Sequence, residues 1–151
     1  MIFKGPFGYD SLLRVPLLVR GPGFGAGAVV TDPVGTIDLA PTFLGAAGLD
    51  VPAWMEGRAL TEPPREYVLT ENDFTIIASI PMRTLTTARY KVHRYLDQPF
   101  GELYDLREDP GEVVNRYDDP AYAAIRSDLL ALLDDVMNHE VRKEPIVGLV
   151  A

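Results

Sequence analysis

Val15-Pro16-Leu17-Leu18-Val19 is a short, almost wholly apolar run between Arg14 and Arg20, stopped by Gly21-Pro22-Gly23. A run of that length bounded by turn residues predicts a strand buried on both faces. Such a strand needs flanking strands and covering layers. Residues 21–28 hold four glycines and one proline and predict a loop. Asp38 then stands as an N-cap before Leu39-Ala40-Pro41-Thr42-Phe43-Leu44-Gly45-Ala46-Ala47, with Gly48 placed at C′, which predicts a short helix. Residues 50–64 carry three prolines and few apolar neighbours, and read as a connection to a second unit.

From Tyr67 the pattern changes to short β-type runs: Tyr67-Val68-Leu69-Thr70, Thr75-Ile76-Ile77-Ala78, Arg83-Thr84-Leu85-Thr86-Thr87, Tyr90-Lys91-Val92-His93-Arg94-Tyr95 and Glu102-Leu103-Tyr104-Asp105-Leu106. The gaps between them are short, so an antiparallel meander of about four strands is expected. Polar and apolar residues alternate imperfectly from Tyr90 to Tyr95. Asp109-Pro110-Gly111-Glu112 is a turn signal. Asp119 caps a helix with Pro120 at its first position, and Tyr122, Ile125, Leu129, Leu132, Leu133 and Val136 recur at helical spacing. This helix is expected to pack across the meander.

The 151 residues carry 14 Lys and Arg against 22 Asp and Glu, a net charge of −8. The basic residues are scattered with no basic run, which argues against a phosphate-backbone interface, so no nucleic-acid partner is expected. A hydrophobic fraction of 47% gives about one domain's worth of core and excludes wholesale disorder. No stretch approaches the roughly 20 apolar residues of a membrane span, so no membrane partner is expected. Met1-Ile2-Phe3-Lys4-Gly5-Pro6-Phe7-Gly8 has no basic flank leading into an apolar run, so no secretory signal is read and a cytoplasmic location stands only as the default. The absence of cysteine removes disulfides and thiolate chemistry together.

Five segments in order resemble the C-terminal third of the sulfatase family. They are Lys4-Gly5-Pro6-Phe7-Gly8-Tyr9-Asp10, Leu13-Arg14-Val15-Pro16-Leu17-Leu18-Val19, Ile37-Asp38-Leu39-Ala40-Pro41-Thr42-Phe43-Leu44 with Gly48, Glu56-Gly57-Arg58-Ala59-Leu60, and the tail. In the tail the similarity lies in Met82-Arg83-Thr84-Leu85, Arg89-Tyr90-Lys91, Glu102-Leu103-Tyr104-Asp105-Leu106, Asp109-Pro110-Gly111-Glu112 and Asn115. The resemblance implies an α/β chain forming the C-terminal part of an alkaline-phosphatase-like fold. Residues 1–64 would be an incomplete part of the main domain, and residues 65–151 an antiparallel sheet packed by a helix. It also implies a sulfuric ester hydrolase with a formylglycine nucleophile and a divalent cation, usually calcium. The residues for both precede the Lys-Gly segment in the family, so this chain reads as a fragment, inactive alone. A phosphonate or phosphate monoester hydrolase of the same superfamily is the alternative, with a small sulfate or phosphate ester as substrate in either case. A stand-alone interaction module, self-associating through an exposed sheet edge, is the reading from another class.

The resemblance assigns one site residue, Lys4, whose ammonium would bind the sulfate. Tyr9, Asp10 and Arg14 are read as structural: a buried ring with its hydroxyl bonded, and an ion pair bracketing the turn into the strand. Ser79-Ile80-Pro81-Met82-Arg83 satisfies the Ser-x-Pro-x-Arg pattern of a formylglycine site. It follows Lys4 instead of preceding it, holds bulky Met82 where the family has a small residue, and leads into β-prone residues instead of a helix N-terminus. His93 and His139 are expected at the surface, with no second ligand at metal spacing. Gly21-Pro22-Gly23-Phe24-Gly25 lacks the Gly-Lys-Ser/Thr ending of a phosphate loop. Asp105, Glu108, Asp109, Glu112, Asp118 and Asp119 miss the EF-hand spacing and predict a solvated acidic turn.

Overall fold

β-branched and aromatic residues from Tyr67 onward form a four-stranded antiparallel sheet in the order β1-β2-β3-β4. In the computed structural model, which describes residues 7–74 and 80–139, these strands are β1 Tyr67–Phe74, β2 Ile80–Thr87, β3 Tyr90–Tyr95 and β4 Gly101–Asp105. The meander is therefore observed, with β1 longer than its four-residue signal. The run Thr75-Ile76-Ile77-Ala78 lies outside the described residues. Register places Leu85 opposite Val92 and Val92 opposite Leu103, so one apolar row crosses three strands on a single face.

That row is covered by a helix. Asp119 accepts a hydrogen bond from the Ala121 N–H at 3.0 Å, Pro120 opens a 3₁₀ turn, and the chain continues as a helix over Ala123–His139. Leu129 and Leu133 meet Leu85, Val92 and Leu103, with Tyr122, Ile125 and Leu132 at the margin. The outer edge of β4 is also closed: Asn115 accepts from the Leu103 N–H and donates to the Gly101 carbonyl, and the Arg116 N–H donates to the Leu103 carbonyl at 2.7 Å. Among the described strands β1 remains as the open edge.

Residues 7–66 are built differently. A single helical turn, α1, covers Asp10–Leu13, and the expected short helix, α2, spans Leu39–Ala46; the C-terminal helix is α3. α2 ends as predicted, in a Schellman motif: Gly48 takes φ +69°, its N–H bonds to the Gly45 carbonyl, and the Leu49 N–H bonds to Leu44 at 2.9 Å. Its start departs from expectation. Asp38 makes no side-chain cap to α2; its carboxylate turns to the N–H groups of Gly35 and Arg58 and to the Arg65 guanidinium.

The strand expected over residues 15–19 is absent. These residues run as coil with Val15, Leu17 and Val19 exposed and Leu18 98% exposed. The physical reason is the one that makes such a sequence readable: a strand meant to be buried on both faces has no ladder without neighbours, and among the described residues none pairs with it. Residues 21–28 are the predicted loop, with Gly23 and Gly27 at positive φ.

Candidate functional site

The imperfect alternation in β3 marks a sheet buried on both faces. Val92 faces α3, while Lys91, His93 and Tyr95 point to the opposite face, joined there by Thr84 from β2 and by Glu102 and Tyr104 from β4. Lys91, His93 and Thr84 are fully buried although all three are polar. Groups of this kind are stable in an interior only when bonded or paired. The cover that buries them is the segment Phe7-Gly8-Tyr9-Asp10.

Gly8 lies so close to the sheet that a Cβ built on it would stand 2.3 Å from His93 Cε1 and 2.6 Å from Thr84 Oγ1. Only glycine fits that approach. Tyr9 stacks on Phe7 and meets His93 and Tyr104 edge-on, each at 6.1 Å between ring centroids. Glu102 accepts hydrogen bonds from the hydroxyls of Tyr95 and Tyr104, both at 2.8 Å. Burial first, and the Glu102 carboxylate second, push both phenols well above the usual tyrosine range. His93 Nδ1 is hydrogen bonded to Thr84 Oγ1 at 2.8 Å, and its Nε2 is buried with no partner among the described residues. Burial lowers the His93 pKa to about 4, with Lys91 acting in the same direction and Glu102 against it.

Beside this aromatic cluster lies an ion triad. The Lys91 ammonium is shared between Asp10 and Glu112, the latter at 2.5 Å, and the Glu112 carboxylate also accepts from the Asp10 N–H at 2.6 Å. The turn Asp109-Pro110-Gly111-Glu112 presents that carboxylate. Asp109 accepts from the Val113 and Val114 N–H groups, both at 2.8 Å, and Glu112 itself takes φ +54°. A non-glycine residue in the left-handed region is held there by its surroundings.

A second polar assembly joins two of the resembling segments. Asp38 Oδ1 accepts from the Arg58 N–H at 2.8 Å, Thr42 Oγ1 donates to the Asp38 carbonyl at 2.6 Å and accepts from the Leu60 N–H at 2.8 Å. Gly57 passes the Ile37 carbonyl where a Cβ would come within 2.1 Å. Ile37-Asp38 and Glu56-Gly57-Arg58, distant in sequence, are thus neighbours because one carboxylate and one hydroxyl organise both.

Of the residues singled out in the sequence, Lys4 and Ser79 lie outside the described residues. Tyr9 and Asp10 are structural as expected, although Tyr9 is half-buried and the dominant partner of Asp10 is Lys91. Its ion pair with Arg14, at 3.7 Å, involves an arginine side chain 81% exposed. Ile80 to Arg83 run in β2, and Arg83 pairs with Glu71 at 2.6 Å and Asp73 at 2.7 Å. No helix N-terminus follows, consistent with an accidental Ser-x-Pro-x-Arg match. His93 corrects the surface expectation: it is an interior residue because the Phe7 to Asp10 segment covers it. The His139 side chain lies outside the described residues. The acidic turn is corrected in part. Asp105 is buried and held below the usual carboxylate range, chiefly by hydrogen bonds from Arg89 at 2.8 and 3.1 Å, and the Glu112 side chain is covered where it meets Lys91. Among the described residues no group of three or more His, Asp or Glu is placed to hold a metal ion. The cation implied by the resemblance therefore finds no fit among these residues. No helix of the described residues is long and apolar enough to cross a membrane.

Comparison with known proteins agrees with this geometry. Residues 2–139 match the family described as N-sulphoglucosamine sulphohydrolase, C-terminal. The chain is 35% identical over 150 residues to the Delta 4,5-hexuronate-2-O-sulfatase of Bacteroides thetaiotaomicron, covering 89% of this chain and 31% of that protein. A solved 2-O GAG sulfatase superposes with TM-score 0.83 at 33% identity, over 91% of this chain and 32% of the other. The phosphonate monoester hydrolase of Silicibacter pomeroyi superposes with TM-score 0.65 at 28% identity, over 79% of this chain and 28% of the other. The chain thus spans about a third of the length of these proteins.

Proposed function

The chain belongs to the sulfatase C-terminal domain family, and on that premise we propose that it completes the active site of a sulfuric ester hydrolase whose nucleophile and metal ligands lie outside this chain. Residues 1–64 act as part of the main α/β domain and residues 65–151 as the buttressing subdomain. Lys4 holds the sulfate: a fixed ammonium beside the sulfuryl oxygens stabilises charge that builds as the ester bond breaks. A formylglycine outside this chain would supply the nucleophile, as the family resemblance implies. The observation that carries this reading is the docking of Gly8, Tyr9 and Asp10 on a buried polar sheet face. That arrangement anchors the stretch four to six residues beyond Lys4.

The relatives named for 2-O-sulfate cleavage make a carbohydrate 2-O-sulfate the first substrate to try. Hydrolysis is to be compared between the reading frame extended upstream of the Met1 codon and the 151-residue chain. The extended protein is expected to cleave sulfate esters and to lose about 100-fold or more in kcat on Lys4→Ala. The chain alone should show no turnover, since one lysine cannot replace an activated nucleophile and a metal. Turnover by the rigorously purified chain, or full activity of the Lys4→Ala protein, would overturn the proposal. The likeness to a phosphonate monoester hydrolase supports a second reading, favoured if phenyl phosphonate monoesters give the higher kcat/KM.

A further inference from the structure

Residues 15–34 are coil and turn, and among the described residues their backbone is tied only by a bond from the Phe24 N–H to the Gly21 carbonyl at 3.3 Å. Arg20 is exposed within this stretch, and a Cβ built on Gly21 would meet nothing within 4 Å. We propose that the Arg20–Gly21 peptide bond is a processing site for a protease with a pocket for a basic side chain, and that the cut chain stays assembled because residues 7–10 are locked onto the sheet. The proposal is independent of the activity proposed above.

A protease draws several successive residues into its cleft in extended form, so it cuts first where the chain has no ladder or helix to give up. Residues 15–20 have neither, and Val15 and Leu18 are 59% and 98% exposed. The other basic residues among those described are less available. Arg83, Lys91 and Arg94 lie in strands and Arg126 in α3. The N–H groups of Arg14, Arg58, Arg107 and Arg116 are hydrogen bonded, and the side chains of Arg65 and Arg89 are held by Asp38 and Asp105. The step is a hydrolysis. The enzyme's activated hydroxyl attacks the Arg20 carbonyl carbon, the bond to Gly21 breaks, and the Gly21 nitrogen leaves as an amine with the transferred proton. Water then frees the Arg20 carboxylate, so one water is consumed and no oxidant or cofactor enters.

The cut severs the covalent tether between α1 and the rest of the molecule, so assembly then depends on contacts alone. Those contacts lie on both sides of the cut and involve none of residues 15–20. Asp10 belongs to one piece, and both of its partners, the Lys91 ammonium and Glu112 Oε2, belong to the other. Gly8 fills a slot against His93 and Thr84 that no larger residue enters. Tyr9 packs edge-on against His93 and Tyr104. Glu112 is presented from a left-handed backbone position, braced by Asp109 on the two following N–H groups. Lys91→Met removes the ionic hold between the pieces while keeping a side chain of similar volume. Gly8→Ala removes the fit by shape and leaves the ions in place.

The test is limited digestion of the 151-residue chain with trypsin at neutral pH, read by intact mass and then by size exclusion with and without denaturant. The first products should be residues 1–20 and 21–151, formed at least about tenfold faster than any other cut. The two pieces should elute together in native buffer and separate in guanidinium chloride. Arg20→Gln should abolish this pair of products and leave the circular dichroism of the chain unchanged. In a folded Lys91→Met chain the cut should still occur, and the 1–20 piece should now elute alone. If Lys91→Met fails to fold, Gly8→Ala is digested in its place with the same expectation. A first cut at Arg14 or within residues 67–139, or unchanged digestion of Arg20→Gln, would overturn the site. Separation of the parent's pieces in native buffer, or full retention in the folded Lys91→Met or Gly8→Ala chain, would overturn the lock.

Discussion

Residues 67–139 close an apolar core between sheet and helix, with Leu85, Val92, Leu103 and Leu133 fully buried, whereas residues 7–66 bury Asp38, Thr42, Pro41 and Ala59 and little else. The earlier region is not short of apolar side chains. Leu18, Val29, Val30, Phe43 and Trp54 are all more than half exposed. The difference lies in what each region was shaped against. The later one supplies both surfaces of its interface, and the earlier one organises its turns by polar bonds while holding its apolar surface outward, as a piece of a larger interior does. What joins them is the second face of the sheet, where Lys91, His93 and Thr84 receive the Phe7 to Asp10 segment.

The sharpest way to break this comparison is to attack the junction. Lys91→Met leaves Glu112 and Asp10 without their counter-charge, and loss of one partner from a buried pair costs about 3–5 kcal/mol. Chemical denaturation of the chain should show it, while Arg14→Ala, whose pair is exposed, should fall within about 0.5 kcal/mol of the parent. In the core itself, Leu133→Ala should cost about 2–5 kcal/mol. Leu18→Ala should change stability by less than about 0.5 kcal/mol in this chain. An equal loss from both leucines would mean that the two regions do not differ as described.

Acidification tests the junction through His93. Its folded pKa of about 4 lies below the ordinary 6.5, so between these values the unfolded chain binds a proton that the folded chain refuses. Stability is therefore complete above pH 6.5 and falls as the pH drops towards 4, by about 3 kcal/mol in total. Asp105, depressed by Arg89, adds a loss in the same direction as the pH falls through the carboxylate range. Denaturation midpoints measured from pH 7.5 to 4 should decline in the parent and decline less in a folded His93→Gln variant. A midpoint flat across that range would show that His93 is not held neutral. The smallest effect belongs to the earlier region: Gly48→Ala, at φ +69°, should cost about 1 kcal/mol in the C-terminal turn of α2, checked by the local amide exchange of residues 39–49.

The legibility of these features in the sequence follows the same division. α3 and its cap could be read because Asp119-Pro120 and the spacing from Ile125 to Val136 are local signals, and the four-stranded meander because its turns are short. Gly48 was readable for the same reason. Residues 15–19 carry a true strand pattern, but a doubly buried strand is a statement about neighbours, and the described residues supply none. Lys91 and His93 were unreadable as interior residues because a lysine and a histidine in a β-run look like the solvent face. Their burial depends on a segment more than eighty positions away in sequence. The imperfect alternation of Tyr90 to Tyr95 was the available sign that both faces are covered. Glu112 was hidden similarly, as one acid in a turn full of acids, although Asp109-Pro110-Gly111 already fixed the backbone that presents it.

Residues 7–10 belong, energetically, to the later region although they open the earlier one in the chain. Residue-resolved amide hydrogen exchange on the 151-residue chain tests this directly. The Asp10 amide, bonded to Glu112, should be protected to within about tenfold of Val92 and Leu103, while residues 15–34 exchange near the rate of an unfolded chain. Fast exchange at Asp10 alongside protected β3, or protection over residues 15–19 equal to that of β3, would contradict it.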